Sequence, residues 1–299
     1  MSQRTVDLDF DVDLRDAAFG HKAMFIGNHW RDPGLWWPTQ TPDGGGTLHF
    51  TYAGTQRRIR AEAWGPGAHW LLEHAPAVLG VDDHPETFRP GPGPVADLLN
   101  RRNRPIRFGR TGRVFEALLP SILGQKVQTE MAVRSLRGIV RRFGEPAPGP
   151  VELTMFPTAE RLAEIGYHEL HRFHVERKRA DTIIRAAKAA QRLEETGDRT
   201  TEQIDARLRS IRGIGPWTSG WVRWIALGDA DAIPIGDFHL PNSVAWTLAG
   251  EARATDERML ELLEPYQGHR GRVVRLIKTS GAHAPRYGPR LSFMEIAGF

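Results

Sequence analysis

The segment that most constrains the fold is GIGPWTSGW, residues 213–221, which lies between two helical patterns. Gly213 can adopt the left-handed conformation that ends a helix, Gly215 repeats that freedom, and Pro216 suits the first turn of a new helix. The spacing therefore predicts a helix–hairpin–helix. Because such a turn exposes backbone N–H groups near a helix N-terminus, it also predicts a phosphate-type anion site. The alternative is that the hairpin serves helix packing alone.

Composition limits the chemistry open to this chain of 299 residues. The absence of cysteine excludes disulfides, thiol nucleophiles and cysteine-based metal sites. The twelve histidines show no HExxH pairing, so we expect no catalytic metal. An acidic N-terminus and the lack of a long apolar run predict a cytoplasmic protein with no membrane segment. No exposed apolar pattern demands a partner, so we expect a monomer.

Positive charge is unevenly distributed, although the net charge is only +4. Residues 101–113 carry six arginines and no acid, and residues 269–278 carry three arginines and a lysine. Clusters of this kind attract a phosphate backbone. The alternative is that arginine is simply a favoured solvating residue here, and both interpretations stay open.

The pattern along the chain predicts an α+β protein with two domains, a small α/β domain at 1–107 and a helical domain at 108–299. Apolar and acidic residues alternate with period two over 6–14, which predicts a strand, and residues 47–64 have the pattern of a hairpin. Residues 68–80 have helical spacing. The segment PDGGGT, residues 42–47, is typical of a loop.

Helical patterns dominate from Val114 onward. A long amphipathic pattern covers 113–145, and Pro120 is expected to divide or kink it. Thr158 has the position of an N-cap. Further helices are predicted at 158–166, 176–195 and 201–213.

A single carboxylate follows the hairpin closely. The segment 231–246 places Asp237 near the start of another helix. A helix N-terminus favours a carboxylate, so an N-cap worth about 1 kcal/mol is one interpretation of this residue. The other is a functional carboxylate beside the predicted anion site.

These motifs together resemble a known family. The hairpin followed by IPIGDFHL, residues 233–240, is similar to the core motif of the helix–hairpin–helix (HhH-GPD) DNA glycosylase superfamily. The segments at 117–145, 156–165, 177–190 and 263–281 resemble one branch, the bacterial 3-methyladenine DNA glycosylase II (AlkA-type) enzymes. The resemblance covers about residues 108–282. The first hundred residues are compatible with the small TBP-like domain of that branch.

The resemblance implies a function. We expect a monofunctional DNA glycosylase of base excision repair that flips an alkylated or related damaged purine out of double-stranded DNA and excises it by hydrolysis. Its product would be an abasic site, and its location would be the nucleoid. The alternative is a non-catalytic helix–hairpin–helix DNA-binding protein. A strand-cutting glycosylase for oxidised purines would need a lysine in the hairpin, where this chain has Trp217.

The resemblance also assigns site residues. Asp237 would stabilise the oxocarbenium-like sugar and orient or deprotonate the attacking water. Trp217 and Trp221 would face the flipped base, where an indole favours a cationic alkylpurine by about 1–2 kcal/mol, although both are equally typical of a helix core. The base pocket would contain Trp217, Trp221, Ile277 and Lys278. The DNA contacts would come from Gly213, Gly215, Gln125, Lys126, Thr218 and Arg110. Hairpin carbonyls would be a site for a monovalent cation, with no other cofactor expected.

Several positions depart from the family pattern. Lys126 replaces an apolar wedge, and Ile277 and Lys278 replace an aromatic pair. This argues against a strong preference for cationic 3-methyladenine and leaves room for neutral lesions such as ethenoadenine or hypoxanthine. His239 would either protonate a leaving base or serve the helix start. Three aromatic residues of the first domain would either line the pocket or anchor a loop, namely Trp30, Trp36 and Trp37.

Overall fold

The amino-terminal part of the chain forms an antiparallel sheet. The computed structural model describes residues 1–14, 33–197 and 199–285, together with the backbone of 29–31. The strands are β1 (Ser2–Asp7), β2 (His29–Arg31), β3 (Gly34–Thr41), β4 (Gly44–Tyr52) and β5 (Arg58–Trp64). Their order in the sheet is β1-β5-β4-β3-β2.

The predicted hairpin and the helix after it are confirmed. Leu48 of β4 lies opposite Ala63 of β5, and Phe50 lies opposite Ala61. These side chains share one face of the pleat and are fully buried. They form one apolar core with helix α1 (Ala68–Val78), which packs on the sheet.

Two local predictions in this region are wrong. Strand β1 ends at Asp7, so most of the alternating segment 6–14 lies outside a ladder. Leu8 and Val12 are nevertheless buried, so the period-two pattern reflects alternate burial rather than continuous strand pairing. The predicted loop 42–47 is mostly strand, because β4 begins at Gly44.

The rest of the described chain is mainly helical, as predicted. The helices are α2 (Pro94–Arg102), α3 (Val114–Leu123), α4 (Thr129–Phe143), α5 (Ala159–Glu164), α6 (Tyr167–His171), α7 (Arg177–Lys188), α8 (Ala190–Glu194), α9 (Thr201–Arg209), α10 (Pro216–Val222), α11 (Leu240–Ala249), α12 (Asp256–Leu263) and α13 (Arg270–Ser280). A π-helical turn, Arg223–Leu227, continues α10. Within the described residues, no helix is both long and apolar enough to cross a membrane.

The long pattern at 113–145 is interrupted, but Pro120 is not the break. Pro120 lies inside α3, and its carbonyl accepts the amide of Gly124 at 2.9 Å. The helix ends there, and α4 starts only at Thr129. Between the two helices, Lys126 has the left-handed φ of 55°. The α3–α4 loop therefore presents Lys126 at a sharp turn.

The predicted N-cap is confirmed, because Thr158 Oγ1 accepts the amide of Arg161.

Apolar side chains form two separate clusters. One joins the sheet to α1 and ends at Leu79, and the other begins at Val95 and continues through the helices to Ile277. Val95 and Leu98 of α2 therefore pack with the helical cluster. The domain boundary between residues 107 and 108 stays a prediction.

Most arginines of the two clusters form hydrogen bonds or ion pairs with other residues of the protein. Arg272 is 1% exposed, and its guanidinium donates to both carboxylate oxygens of Asp83 at 2.6 and 2.9 Å. The carboxylate of Asp83 also accepts the amide of Phe108. This ion pair ties α13 to the segment after α1. Other arginines in the two clusters have similar partners, as in the pairs Arg104–Asp13, Arg110–Asp82, Arg113–Glu194 and Arg270–Asp231.

We predict that Asp83→Ala lowers the free energy of unfolding by about 3–5 kcal/mol, because it leaves the guanidinium of Arg272 buried without its counter-ion. The neighbouring Asp82→Ala is the matched control. Its ion pair with Arg110 is about half exposed on both sides, so the loss should stay below about 1 kcal/mol. Urea unfolding of both variants measures the difference, and equal losses would contradict this account.

A second buried charge lies between the sheet and the helices. The carboxylate of Glu116, on α3, accepts the Thr39 hydroxyl at 2.7 Å and the Gln40 amide at 2.9 Å. Burial raises the pKa of Glu116 to about 7, although Arg113 and these two hydrogen bonds oppose the shift. The unfolded chain loses this proton at its ordinary pKa of 4.5. Folding therefore becomes less favourable as the pH rises from about 4.5 to 7.

We predict that Glu116→Gln removes this pH dependence. The stability advantage of the variant over the wild type should grow between pH 4.5 and 7, to on the order of 1–3 kcal/mol, and then stay constant. Urea unfolding at several pH values measures it. Glu160→Gln, at an exposed position on α5, is the control, and a constant difference for Glu116→Gln would contradict the raised pKa.

Candidate active site

The hairpin lies between α9 and α10, and the connection between the two helices is longer than predicted. Helix α9 ends at Arg209, four residues before the predicted end at Gly213. Two turns follow. In the first, the Ile211 amide donates to the Leu208 carbonyl, and in the second, the Ile214 amide donates to the Ile211 carbonyl. Pro216 then occupies the first turn of α10, as predicted.

The backbone conformation and the packing of the hairpin both require a glycine at position 213. Its φ is 102°, which L-residues rarely adopt. A Cβ atom at this position would lie 2.2 Å from Thr182 Oγ1 on α7. The hairpin therefore packs against α7 at a point where no side chain fits.

Gly215 differs, and the predicted left-handed conformation is wrong for it. Its φ is −105° and its ψ is −176°, which is extended backbone open to most residues. No atom of the described chain lies within 4 Å of a Cβ built there. Neither backbone strain nor packing requires a glycine at this position, and the backbone there is open to the approach of a ligand.

Two predicted DNA contacts bind the hairpin instead. The side-chain amide of Gln125 donates to the Gly213 carbonyl at 2.9 Å and to the Thr218 hydroxyl at 2.8 Å. Thr218 is 1% exposed. Gln125 and Thr218 therefore fix the turn relative to α3, and their contact with DNA stays a prediction. Since the Gly213 carbonyl already accepts one hydrogen bond, the monovalent-cation site stays a prediction.

Asp237 is held from two sides. One carboxylate oxygen, Oδ1, accepts the backbone amides of His239 at 2.9 Å and Leu240 at 3.1 Å, which begin α11. The other, Oδ2, accepts the indole N–H of Trp217 at 3.0 Å. Both interpretations of Asp237 therefore have a structural basis, because the residue caps α11 and also faces the hairpin helix. The side chain is only partly buried, so it is open to a ligand.

The tryptophans form a row of edge-to-face contacts. The ring centroids of Trp217 and Trp221 are 6.2 Å apart, and those of Trp221 and Trp224 are 5.0 Å apart. Trp221 is 5% exposed and Trp217 is partly buried. Trp221 thus belongs to the core, while Trp217 lies where the core meets Asp237.

Helix α13 lies beside this row of tryptophans. It contributes Ile277 and Lys278, the two residues that replace the aromatic pair of the family pattern. Ile277 is fully buried in the helical core. The Lys278 ammonium lies 5.3 Å from the ring centroid of Trp221. Burial lowers the pKa of Lys278, and the Asp237 carboxylate opposes that shift. Asp237, Trp217, Trp221 and Lys278 therefore come together, and Ile277 supports them from the core.

Two other predicted DNA contacts lie apart from this cluster. Lys126 is exposed in the α3–α4 loop, next to Gln125. Arg110 is paired with Asp82 at 2.7 Å, and its neighbour Thr111 binds the carbonyl of Ile225, at the opposite end of the α10 segment from the hairpin. Arg110 is therefore not part of the hairpin cluster, because its charge serves the joint with the first domain.

Sequence reasoning missed Phe238. Its side chain is 86% exposed directly after Asp237, and its ring meets that of the exposed His239 edge to face at 4.9 Å. An exposed aromatic side chain next to Asp237 is a candidate for ligand contact. The signal in the sequence was its position directly after Asp237. The roles predicted for His239 stay open.

The tryptophans of the first domain belong to the sheet. Trp36 and Trp37 lie in β3 and are 7% and 3% exposed, so the loop-anchor interpretation is wrong for them. Trp36 stacks on His49 with a centroid distance of 3.8 Å. The side chain of Trp30 lies outside the described residues. A pocket role for these residues stays a prediction.

We predict opposite effects for the two hairpin glycines. Gly213→Ala should destabilise the fold by at least about 2 kcal/mol, because of its positive φ and the contact with Thr182. Gly215→Ala should cost less than about 1 kcal/mol but weaken binding of duplex DNA at least tenfold. Urea unfolding and fluorescence titration with a labelled duplex separate the effects, and wild-type DNA affinity for Gly215→Ala would contradict the ligand-contact interpretation.

Comparisons with known proteins agree with this geometry. Residues 119–267 match the HhH-GPD superfamily of base excision DNA repair proteins. A DNA-3-methyladenine glycosylase of Bacillus subtilis is 28% identical over 183 residues, which cover 58% of this chain and 59% of that protein. DNA-3-methyladenine glycosylase 2 of Escherichia coli is 34% identical over 111 residues, which cover 36% of this chain and 39% of that protein.

A solved structure shows the same fold over nearly the whole chain. The 3-methyladenine DNA glycosylase from Archaeoglobus fulgidus superposes with a TM-score of 0.78 at 22% identity, covering 92% of this chain and 97% of that one. This likeness extends to the sheet domain, which lies outside the residues that match the family. The matched motifs, the helical fold and the hairpin with its following aspartate agree, and the chain belongs to the HhH-GPD superfamily, in its AlkA-type branch.

Proposed function

We propose that this protein is a monofunctional DNA glycosylase of base excision repair, which flips a damaged purine out of double-stranded DNA and hydrolyses its bond to deoxyribose. The observation that carries the proposal is the position of Asp237, a carboxylate fixed by three donors and open to solvent beside the hairpin. The relatives named above are DNA-3-methyladenine glycosylases, which supports an alkylated purine as the substrate.

The hairpin supports DNA binding. The first amides of α10 have no acceptor within the helix, and Gly215 leaves open space before them. A backbone phosphate placed there would accept those amides without any cationic side chain. This would fix one strand beside Asp237. Lys126, on the neighbouring loop, would occupy the gap left by the flipped nucleotide or contact a phosphate.

The carboxylate supports the chemistry. As the bond between C1′ and the base nitrogen breaks, its electron pair leaves with the base and positive charge develops on the sugar. The Asp237 carboxylate would stabilise that charge electrostatically. Water then forms the new C1′–O bond and loses a proton, either to Asp237 or, through solvent, to the departing base. The product is an abasic site with its phosphate backbone intact.

Tryptophan in the hairpin supports hydrolysis rather than strand cutting. An enzyme that cuts the strand through a Schiff base needs an amine that reaches C1′. The indole of Trp217 cannot form one and instead orients Asp237. We propose that the protein acts as a monomer on DNA of the nucleoid. The alternative of a non-catalytic DNA-binding protein gains no support from any feature of the site.

We predict that Asp237→Asn slows base release at least about 100-fold, because the charge that stabilises the sugar is lost while the side-chain shape is retained. Release from methylated DNA is followed by mass spectrometry of the free bases. Asp97→Asn, at an exposed position on α2, is the matched control and should release bases as the wild type does. Equal release by Asp237→Asn and the wild type would contradict the catalytic role.

Strand cutting is tested in the same reaction. A duplex with a single damaged purine should break only after alkali treatment, and borohydride should trap no protein on DNA. A trapped complex would overturn the monofunctional assignment, and the amine of Lys278 would then be the first candidate nucleophile.

A further inference from the structure

The residues predicted to form the base pocket include a cation, Lys278. Lys278 extends from α13 to the face of Trp221, with its ammonium 5.3 Å from the ring centroid. An ammonium within about 6 Å of an indole is held by the negative face of the ring. Trp217 and Trp224 meet the same indole edge to face, so the three rings and the ammonium form one packed unit.

The same geometry bears on which bases the pocket accepts. The interaction that holds Lys278 on the Trp221 indole is the same one by which an indole attracts a cationic alkylpurine. A cationic base that enters would meet both an occupied face and a like charge at short range. In a partly desolvated site such repulsion is stronger than in water. Burial lowers the pKa of Lys278, because desolvation disfavours its charged form.

The ammonium also has unused donors. Among residues 1–14, 33–197 and 199–285, no hydrogen bond or ion pair is formed by Lys278, and Asp237 is the carboxylate that acts on its charge. Lysine carries three N–H donors. A base in the pocket with a carbonyl oxygen would accept one of them.

We propose that Lys278 shifts the substrate preference towards neutral purines that present a carbonyl oxygen, such as hypoxanthine, and away from cationic alkylpurines such as 3-methyladenine. This inference rests on the proposed glycosylase function and specifies its substrate class. A neutral base departs with negative charge delocalised towards its carbonyl. The Lys278 ammonium therefore stabilises the leaving group while Asp237 stabilises the sugar, and the two charges act on opposite ends of the breaking bond.

The test compares two substrates across Lys278 variants of the full-length protein. One substrate is a duplex with a single deoxyinosine, and the other is DNA that releases 3-methyladenine, with kcat/KM measured for each. Lys278→Met should lower hypoxanthine release at least about tenfold and raise 3-methyladenine release, because it removes the donor and the repulsion together. Lys278→Arg keeps the charge and should keep the wild-type ratio within about threefold.

Lys188→Met, which removes an exposed lysine from α7, is the matched control and should leave the ratio unchanged. Affinity for a duplex with a stable abasic analogue confirms that each variant still folds and binds DNA. If the wild type releases both bases and Lys278→Met leaves their ratio unchanged, the role of Lys278 is overturned while the glycosylase function stands. If the wild type releases neither base, both proposals fail.

Discussion

The site depends on the hydrogen bonds that fix the Asp237 carboxylate. Its Oδ1 accepts two amides at the start of α11, and its Oδ2 accepts the indole N–H of Trp217. These bonds join the helix after the hairpin to the helix that follows the aspartate, and they leave the carboxylate partly exposed between them. The residue that accepts the amides at the start of α11 is thus also the residue proposed as catalytic. The helix N-terminus and the indole keep the carboxylate oriented, so little reorganisation is needed when charge develops on a substrate.

The interactions that hold this arrangement in place are formed between residues of the protein itself. Gly213 packs on Thr182, Gln125 binds the turn from α3, and Arg272 is buried against Asp83. Much of the arginine that resembled a phosphate-binding surface in the sequence is therefore structural. The proposed DNA contacts are instead backbone amides, the open space at Gly215 and exposed residues of the neighbouring loops. Phe238 and Lys126 are the prominent exposed side chains of those loops.

The sequence predicted the parts of this account that depend on local chemistry. Glycine and proline spacing predicted the hairpin, and an aspartate before a helical pattern predicted Asp237 at a helix start. It did not predict contacts between distant segments, such as the pair of Asp83 with Arg272, 189 residues apart, because charge clusters carry no information about their partners. Local reasoning also failed where one residue type serves two purposes. The backbone conformation at position 213 requires a glycine and that at position 215 does not. In the sequence, both residues have the same pattern of a hairpin glycine.

The central claim is that Asp237 stabilises positive charge at the sugar. The most direct test measures the affinity of the protein for two duplexes, one with a neutral tetrahydrofuran at the abasic position and one with a cationic pyrrolidine there. The cationic ring imitates the charge of the transition state, so the wild type should bind it at least tenfold more tightly, and Asp237→Asn should lose that preference. Equal affinity of the wild type for the two duplexes, or an unchanged preference in the variant, would contradict the claim.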